Sequence, residues 1–496
     1  MALEFARPPA PSLAARAALA VLLFVGFYVF SIALAGGLLY LPYAEWEYTQ
    51  TVNARLAIFA AVGALVIVWS LIPRIDVFKA PGPTLTPASS PRLFEMLRDV
   101  AAKTEQEMPT EVFLLPEVNA WVAERGGLVG IGSRRVMGIG LPLMETLTVA
   151  QLRAVLAHEF GHYYGGDTSL GPWLYATHST LDRTMQNLHK HNRYLTFFLK
   201  WYGRGFLRVT QSISRRQELV ADALAAHVAG ADAMIGGLTA IRGASAAFAP
   251  YWRTEVAPVL ENGYRPPLGK GFRAFLAEPL IAVQVAERVD TDLSTSTADA
   301  YDSHPPLLAR VASLRSLGLA QVALDDAPAT SLLDDVDAAE AALIAFLTPD
   351  RKGPPLPAIS WDSAPQTIWI PLWAMMAARF GDRLSGVTPE QLPALLGDVT
   401  ALARRFGADG KTVSDGDQAR AVHVVGCALV TALLARGWTL EAPPGAMIRC
   451  VKGQHEIKPY AVVNDLASGA LGRDKWLASC AECDIVGVDL GASHTA

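Results

Sequence analysis

The sequence predicts a mostly helical α+β protein that is anchored to a membrane near its N-terminal end. Three observations support this fold class. Two long uncharged apolar segments lie before residue 74, apolar segments typical of strands lie between residues 111 and 141, and apolar residues recur at helical spacing in much of the remaining chain. With 496 residues, the chain is long enough for two or three domains.

The first apolar segment carries no charge from residue 17 to residue 44, and the second covers 56–73. A helix needs roughly 20 apolar residues to cross a bilayer, so we predict transmembrane helices at about 17–43 and 56–73. The pattern Ala33-Leu34-Ala35 would also suit the cleavage site of a signal peptide. Apolar residues continue beyond this pattern and a second segment follows at once, which favours the membrane anchor.

Charges near the two segments predict their orientation. Arg7 and Arg16 precede the first segment, and Arg74 and Lys79 follow the second. Because basic residues favour the cytoplasmic side, we predict that the N-terminus and everything after the second span are cytoplasmic. Four cysteines in so long a chain do not make a disulfide framework, which agrees with a reducing compartment. A net charge of -5 offers no basic surface for nucleic acid.

Changes in composition predict the domain organisation. The anchor, 1–79, precedes a linker rich in proline, serine and threonine at 80–92. A folded domain is predicted for 93–320, an acidic and then proline-rich linker for 321–357, and a C-terminal domain of helices and a small β module for 358–496.

The first folded domain should begin with a helix and a small sheet. Helical spacing predicts a helix over 91–103, and a short apolar run predicts a strand over 111–115. Two further strands, at 127–132 and 136–141, are predicted to form a hairpin.

The segment that follows contains the pattern HExxH, in which His158 and His162 are four residues apart with Glu159 between them. Thr148 and Gln151 form a predicted capping box at the start of a helix through this segment. On a helix both imidazoles lie on one face, where a single zinc ion can bind them. The alternative is a pair of helical histidines without a metal-binding role. It is disfavoured because the HExxH pattern falls within a predicted helix.

A tetrahedral zinc bound by two histidines needs one further protein ligand and a water. In an extended motif the third histidine would fall at Thr168, so the ligand must come from elsewhere, and Asp167 remains a candidate contact of the site. Glu218, on a helix predicted over 214–230, is the best candidate. Asp222 lies one turn further and would orient a ligating imidazole. The alternative for both carboxylates is a solvated helix face.

Three motifs occur in order behind the predicted spans: HEFGH at 158–162, SRRQELVAD at 214–222 and SHPPLLAR at 303–310. Together they resemble the membrane zinc endopeptidase family of HtpX and the type I CAAX prenyl proteases. The resemblance covers roughly residues 91–319 and implies a zincin-like metalloprotease domain.

The resemblance also implies roles for individual residues. It makes His158, His162 and Glu218 the ligands of one Zn²⁺ and Glu159 the catalytic glutamate, and Asp222 matches the aspartate of the family's ExxxAD motif. It further implies that His304 and Arg310 border the active site and take part in catalysis. For the last two, the alternative is a helix start followed by a surface arginine.

We therefore expect a membrane-anchored zinc metalloendopeptidase that hydrolyses peptide bonds in membrane or misfolded proteins, with its catalytic domain on the cytoplasmic side of a bacterial inner membrane. Asn119 and Ala120 are candidates for a sheet edge that binds substrate as an added strand, although an ordinary position in the sheet core is an equal alternative. The stretch between the first two motifs lacks two clean further spans, and residues after 357 have no recognised counterpart in the family. Both departures leave the substrate class open.

Two other functions compete with this expectation. One is an intramembrane protease of the site-2 type, but its motif would lie inside an apolar span, whereas Glu145, Arg153 and Asp167 flank the motif here. The other is a membrane-tethered zinc-binding scaffold or chaperone-like protein without turnover, against which the presence of Glu159 argues.

Four residues near the C-terminus form a weaker pattern. Cys480 and Cys483 are a lone CxxC pair, and Cys450 and His455 lie upstream of them. A second, structural zinc site is one hypothesis for these four residues, and reduced unpaired thiols are the alternative.

Overall fold

The computed structural model describes residues 10–72, 76–127, 132–163, 215–294, 304–320, 324–349, 354–407 and 412–492. The chain divides into two compact units. Unit 1 contains Met1–Ser245 and Ala286–Pro349, and unit 2 contains Ala246–Val285 and Asp350–Ala496. Unit 2 thus takes residues 246–285 out of the segment that we predicted as one domain, 93–320.

Unit 1 begins with two apolar helices, α1 (Ala10–Thr49) and α2 (Ala54–Leu71). Val25–Thr49 and Ala54–Leu71 are long and apolar enough to cross a membrane. The two helices pack through a cluster of buried side chains that includes the small residues Ala35, Ala60 and Ala64. Small side chains let two helices of this kind approach closely, so α1 and α2 pack as a compact pair.

A four-stranded sheet follows the anchor. Its strands are β1 (Thr84–Leu85), β2 (Glu111–Leu115), β3 (Ala120–Arg125) and β4 (Arg134–Gly140), in the spatial order β1-β2-β4-β3. Strands β2 and β4 are parallel, and the other two pairs are antiparallel. The helix α3 (Pro91–Lys103) lies between β1 and β2 in the chain.

The predicted helix over 91–103 and strand over 111–115 agree with this structure, but the first strand of the hairpin was placed wrongly. It is β3, rather than 127–132, that pairs with β4. The physical reason is the glycines: Gly126, Gly127 and Gly132 have φ angles of 84°, 76° and 78°, which belong to turns. The segment 127–132 therefore begins and ends with glycines in turn conformations.

Helices make up most of the remaining residues of unit 1 that the structure describes. In chain order they are α4 (Leu141–Thr146), α5 (Val149–Gly161), α6 (described over 215–229), α7 (Ala231–Tyr251, which continues into unit 2), α10 (Pro279–Ser294, which begins in unit 2), α11 (Leu307–Ser316), a 3-10 turn (Ala329–Leu332) and α12 (Val336–Leu347). The predicted capping box is present at the start of α5, where Gln151 N–H donates to Thr148 Oγ1 over 3.3 Å and Thr148 N–H donates to Gln151 Oε1 over 3.1 Å.

The segment predicted as an acidic linker, 321–357, is folded over part of its length. Val149 N–H donates to the carbonyl of Ala327 over 2.8 Å, and Ala150 N–H donates to that of Asp325 over 3.1 Å. The first N–H groups of a helix have no partner within the helix, so this segment supplies acceptors that the start of α5 requires. Together with α12, it belongs to unit 1 rather than to a connection between domains.

Unit 2 is mostly helical, with a three-stranded antiparallel sheet. Its helices are α8 (Ala257–Glu261), α9 (Leu268–Ala277), α13 (Ile370–Arg379), α14 (Gly381–Leu384), α15 (Leu392–Leu396), α16 (Val399–Arg405), α17 (Asp415–Ala435), α18 (Pro459–Ser468) and α19 (Arg473–Glu482). Two π-helical turns (Trp252–Val256 and Pro365–Trp369) and a 3-10 turn (Pro389–Gln391) adjoin them. The strands are β5 (Thr439–Glu441), β6 (Arg449–Lys452) and β7 (His455–Ile457).

The helix α17 is a third segment long and apolar enough to cross a membrane. In this structure it lies in the core of unit 2, where Val424, Val425 and Leu429 have at most 1% of their surface exposed. Its apolar composition is explained by this burial on most sides.

Candidate metal centre

The HExxH residues lie at the C-terminal end of α5, where α6 approaches closely. Gly161 makes this approach possible, because a Cβ atom at its position would lie 3.0 Å from the Cα and 3.1 Å from the Cβ of Ala221. Ala221 itself is fully buried. The small residues at this contact therefore let α6 bring its carboxylates to the histidines of α5.

We expect Gly161→Val to separate α5 from α6. The added methyl groups have no space beside Ala221, and overpacking of this kind costs about 1–3 kcal/mol of stability. Thermal unfolding should show this loss, and a competition titration should show weaker zinc binding. Gly472→Val is a matched control, since a Cβ there meets nothing within 4 Å. Equal zinc affinity in Gly161→Val and the unsubstituted chain would contradict the expectation.

Three side chains converge at this contact. His158 Nε2 lies 3.5 Å from Glu218 Oε2, and His162 Nε2 lies 3.6 Å from Glu218 Oε1. One ligand atom of each of these residues lies within 4.8 Å of the others. Ligands bound about 2.0–2.1 Å from a tetrahedral zinc are themselves roughly 3.3 Å apart. The three residues therefore fit one metal ion of this size.

A second layer of contacts orients His158. Its Nδ1 lies 3.0 Å from Oδ1 of Asp222, the opposite side of the ring from the nitrogen that faces Glu218. Arg310 donates two hydrogen bonds to Asp222, from Nε over 2.8 Å and from Nη2 over 2.6 Å. Although burial raises it, these hydrogen bonds and that of His158 hold the pKa of Asp222 at about 2. Asp222 is therefore an ionised acceptor that can fix the tautomer of a ligating imidazole.

Glu218 has two further basic neighbours. His304 Nδ1 lies 3.0 Å from its Oε2, and Arg310 Nη1 lies 3.4 Å from the same oxygen. Burial opposes ionisation, but His304 and the other basic groups lower the pKa of Glu218 to about 2. His304 has 59% of its side chain exposed, whereas Arg310 is buried. The structure thus places His304 at the exposed side of the cluster, whereas Arg310 contacts the cluster as a buried side chain.

Glu159 is half-buried beside the cluster. Burial raises its pKa to about 7, so it can exchange a proton near neutral pH. Burial and, to a smaller extent, the neighbouring His158 lower the pKa of His162 to about 4. Neutral imidazoles are the form that binds a metal ion. The low pKa of His162 therefore suits a metal ligand, and that of Glu159 suits an adjacent acid or base.

A cavity of about 450 Å³ opens in front of the cluster. Its lining includes His158, Glu159, His304 and the two residues predicted to contact substrate, Asn119 and Ala120. Sequence reasoning missed the opposite wall, which α7 provides through Met234, Leu238, Ile241, Arg242 and Ser245. The helical spacing of positions 234, 238, 241 and 245 was the available signal for one such helix face.

Two of the sequence predictions have outcomes that differ from those above. Asp167 lies outside the described residues. Cys450, His455, Cys480 and Cys483 do not come together: among the described residues, His158, His162 and Glu218 are the group whose ligand atoms converge. The cysteines are buried in the core of unit 2, where burial raises the pKa of Cys450 and of Cys480 to about 12, while His455 is exposed on a strand. This arrangement favours the alternative, reduced unpaired thiols that pack as apolar groups.

Comparison with known proteins agrees with this geometry. Residues 87–318 match the model of peptidase family M48. Protease HtpX of Pseudomonas entomophila (strain L48) is 25% identical over 237 residues, which cover 44% of this chain and 70% of that protein. Protease HtpX of Pseudomonas syringae pv. tomato is 25% identical over 224 residues, 41% of this chain and 66% of that protein.

The chain thus spans about two thirds of the length of these relatives. No solved structure matches it significantly. The family match begins after α2 and ends soon after α11, and it encloses each residue of the metal cluster together with Glu159, Asp222, His304 and Arg310. Residues 87–318 therefore match peptidase family M48, and this part of the chain is similar to HtpX proteases.

Proposed function

We propose that this chain is a zinc-dependent endopeptidase that α1 and α2 anchor in a membrane. The observation that carries the proposal is the convergence of His158, His162 and Glu218 beside Glu159 at the base of a cavity. Zinc held by these three residues would supply a Lewis acid that polarises a peptide carbonyl and makes a water molecule acidic. Two histidines and one glutamate are a ligand set typical of catalytic zinc, with one position left for water or substrate.

The neighbouring residues have separate roles in this proposal. Glu159 accepts a proton from the attacking water and then donates it to the leaving amine, for which a pKa of about 7 is well suited. His304, at the open side of the cluster, donates a hydrogen bond to the oxyanion of the tetrahedral intermediate. Arg310 lines the cavity, but it also donates hydrogen bonds to Asp222, which in turn orients His158. We therefore assign Arg310 a positioning role.

The substrates in this proposal are polypeptides, which bind with part of their backbone along Asn119 and Ala120. Both residues line the cavity, and β3 is at the end of the described sheet, where a peptide can add as a strand. The anchor, the basic residues that flank its helices and the HtpX relatives support a cytoplasmic domain at a bacterial inner membrane. Membrane or misfolded proteins are the substrates that such a position makes accessible.

A purified sample of the full chain in detergent tests the proposal. We expect about one zinc ion per chain, cleavage of casein, loss of cleavage after chelation, and its return when zinc is added back. A folded chain that holds zinc and cleaves neither casein nor a mixed peptide library would instead favour the membrane-tethered scaffold.

A further inference from the structure

In the part of the chain that the structure describes, one edge of β3 has no partner strand, and this edge is only partly available for hydrogen bonding. In the β3–β4 pair, Gly140 N–H donates to the carbonyl of Asn119 over 2.8 Å, and Trp121 lies opposite Gly138. Because successive residues of an antiparallel strand alternate in the direction of their N–H and C=O groups, those of Ala120, Val122 and Glu124 point away from β4. These three residues form the edge that an added peptide strand would use.

Tyr163 occupies the middle of this edge. Its hydroxyl donates a hydrogen bond to the carbonyl of Val122 over 3.0 Å, and the backbone N–H of Glu124 interacts with the same hydroxyl. One hydroxyl can both donate and accept, so it satisfies two neighbouring backbone groups as a strand would. Tyr163 directly follows His162, and the hydroxyl therefore couples the metal-binding end of α5 to the substrate edge.

The position of the tyrosine is well defined by its surroundings. The guanidinium of Arg135 lies 4.5 Å from the centre of its ring, and Arg135 Nε also lies 3.2 Å from Glu124 Oε1. Further along the same strand, Arg125 donates to Asp76 over 2.8 Å, and the N–H of Gly126 donates to the same carboxylate oxygen over 2.8 Å. From the carbonyl of Val122 onward, the edge is therefore occupied.

The other end of the edge differs. Ala120 lines the cavity beside His158 and Glu159. Among the residues that the structure describes, no strand pairs with this side of β3. The outward backbone groups of Ala120 are therefore the ones that a peptide in the cavity can reach.

We propose that Tyr163 is a positioning residue that ends the substrate-binding edge at Val122, so that a peptide pairs with β3 only next to the metal cluster and in a single register. This inference rests on the proposed peptidase function. A peptide that paired along the whole edge could slide by two residues and keep equivalent hydrogen bonds, because the pleat repeats every two residues. A short edge with one closed end removes that alternative and fixes which peptide bond faces Glu159.

The test is a backbone N-methyl scan. A series of peptides, each with one methylated backbone nitrogen, is assayed for kcat/KM and for the position of cleavage by mass spectrometry. The full chain and its Tyr163→Phe variant are compared in the same detergent with zinc present. Each methyl group removes one hydrogen-bond donor, so a loss of kcat/KM marks a peptide N–H that binds the edge.

For the unsubstituted chain we expect N-methylation to lower kcat/KM only near the cleaved bond. Tyr163→Phe frees the carbonyl of Val122, so one further sensitive position should appear, two residues from the nearest sensitive one. Long peptides should gain about fivefold in kcat/KM, as one net hydrogen bond would give, and a second cleavage product in the neighbouring register should appear.

Arg135→Gln is the matched control. It weakens the packing of the same corner but keeps the tyrosine hydroxyl, so it should leave the pattern of sensitive positions unchanged. An unaltered pattern in Tyr163→Phe, with lower thermal stability alone, would overturn the inference, as would insensitivity of the unsubstituted chain to every N-methyl group. If the unsubstituted chain with zinc cleaves no peptide at all, it is the peptidase function that fails.

Discussion

Glu159→Gln is expected to lower kcat about 10²- to 10⁴-fold, the range that a positioned acid or base contributes. The substitution keeps the shape of the side chain but removes its ability to accept a proton. Because Glu159 is not among the residues whose ligand atoms converge, the zinc content should remain that of the unsubstituted chain. Casein cleavage and metal analysis on the same preparation measure both quantities.

A carboxylate on the surface provides the comparison. Glu95→Gln, on the exposed side of α3, should leave kcat unchanged. Glu159→Gln with normal cleavage would show that another group transfers the proton. Loss of zinc together with activity would show instead that Glu159 contributes to metal binding.

The same variant has a predictable effect on stability in the metal-free state. The pKa of Glu159 is about 7 in the folded chain, above its ordinary value of 4.5, because burial disfavours the carboxylate. A group with a raised folded-state pKa stabilises the fold fully below its unfolded pKa, and this contribution is lost as the pH rises through about 7. Metal-free Glu159→Gln should therefore gain up to about 3 kcal/mol relative to the unsubstituted chain between pH 5 and pH 8. A thermal unfolding series over this range measures the difference.

Arg310→Met is expected to be the most destabilising single substitution in the metal site. It would leave the carboxylates of Asp222 and Glu218 buried with less compensation, and breaking a buried ion pair in this way costs about 3–5 kcal/mol. Asp222 would also lose the contact that holds it against His158. Substitution of the residues that orient metal ligands usually lowers metal affinity by about 10- to 100-fold, so zinc binding should weaken by that factor.

Thermal unfolding and a zinc competition titration measure the two effects of Arg310→Met separately. Arg315→Met is the control, because Arg315 is an exposed arginine of the same helix, α11, one turn further on. We also expect Arg310→Lys to fail as a replacement, since an ammonium cannot make the two parallel hydrogen bonds that Arg310 makes to Asp222. Normal zinc affinity in Arg310→Met would exclude the positioning role.

Local signals in the sequence were sufficient for several elements. The capping box of Thr148 and Gln151 located the start of α5, and apolar runs located α3 and β2, because each signal acts within a few residues. The spacing of His158 and His162 likewise placed both imidazoles on one face of a helix. The wrong position of the first hairpin strand also has a local cause. The apolar residues at 127–132 suggested a strand despite the glycines in that segment. The actual strand, β3, has a mixed composition and therefore a weaker signal.

Contacts between distant segments were beyond such signals. Residues 246–285 lie between motifs of one domain in the sequence, but they fold into unit 2, and the acidic segment after residue 324 folds into unit 1. The four residues proposed for a second zinc site shared suitable chemistry, yet three of them pack in a core and the fourth points to solvent. Residue type alone does not determine which side chains meet.

The sequence by itself determined the two apolar N-terminal helices and the helix that carries the HExxH pattern, and it indicated the residue types of the candidate metal centre, because periodicity and motif spacing are properties of short stretches of chain. Only the tertiary structure decided that Glu218 faces both histidines, that Arg310 donates hydrogen bonds to Asp222, and that the hydroxyl of Tyr163 donates a hydrogen bond to the edge of β3. Those three relations join residues through space, and each depends on the close approach of α5 and α6 or on the register of β3, which packing of the whole unit sets.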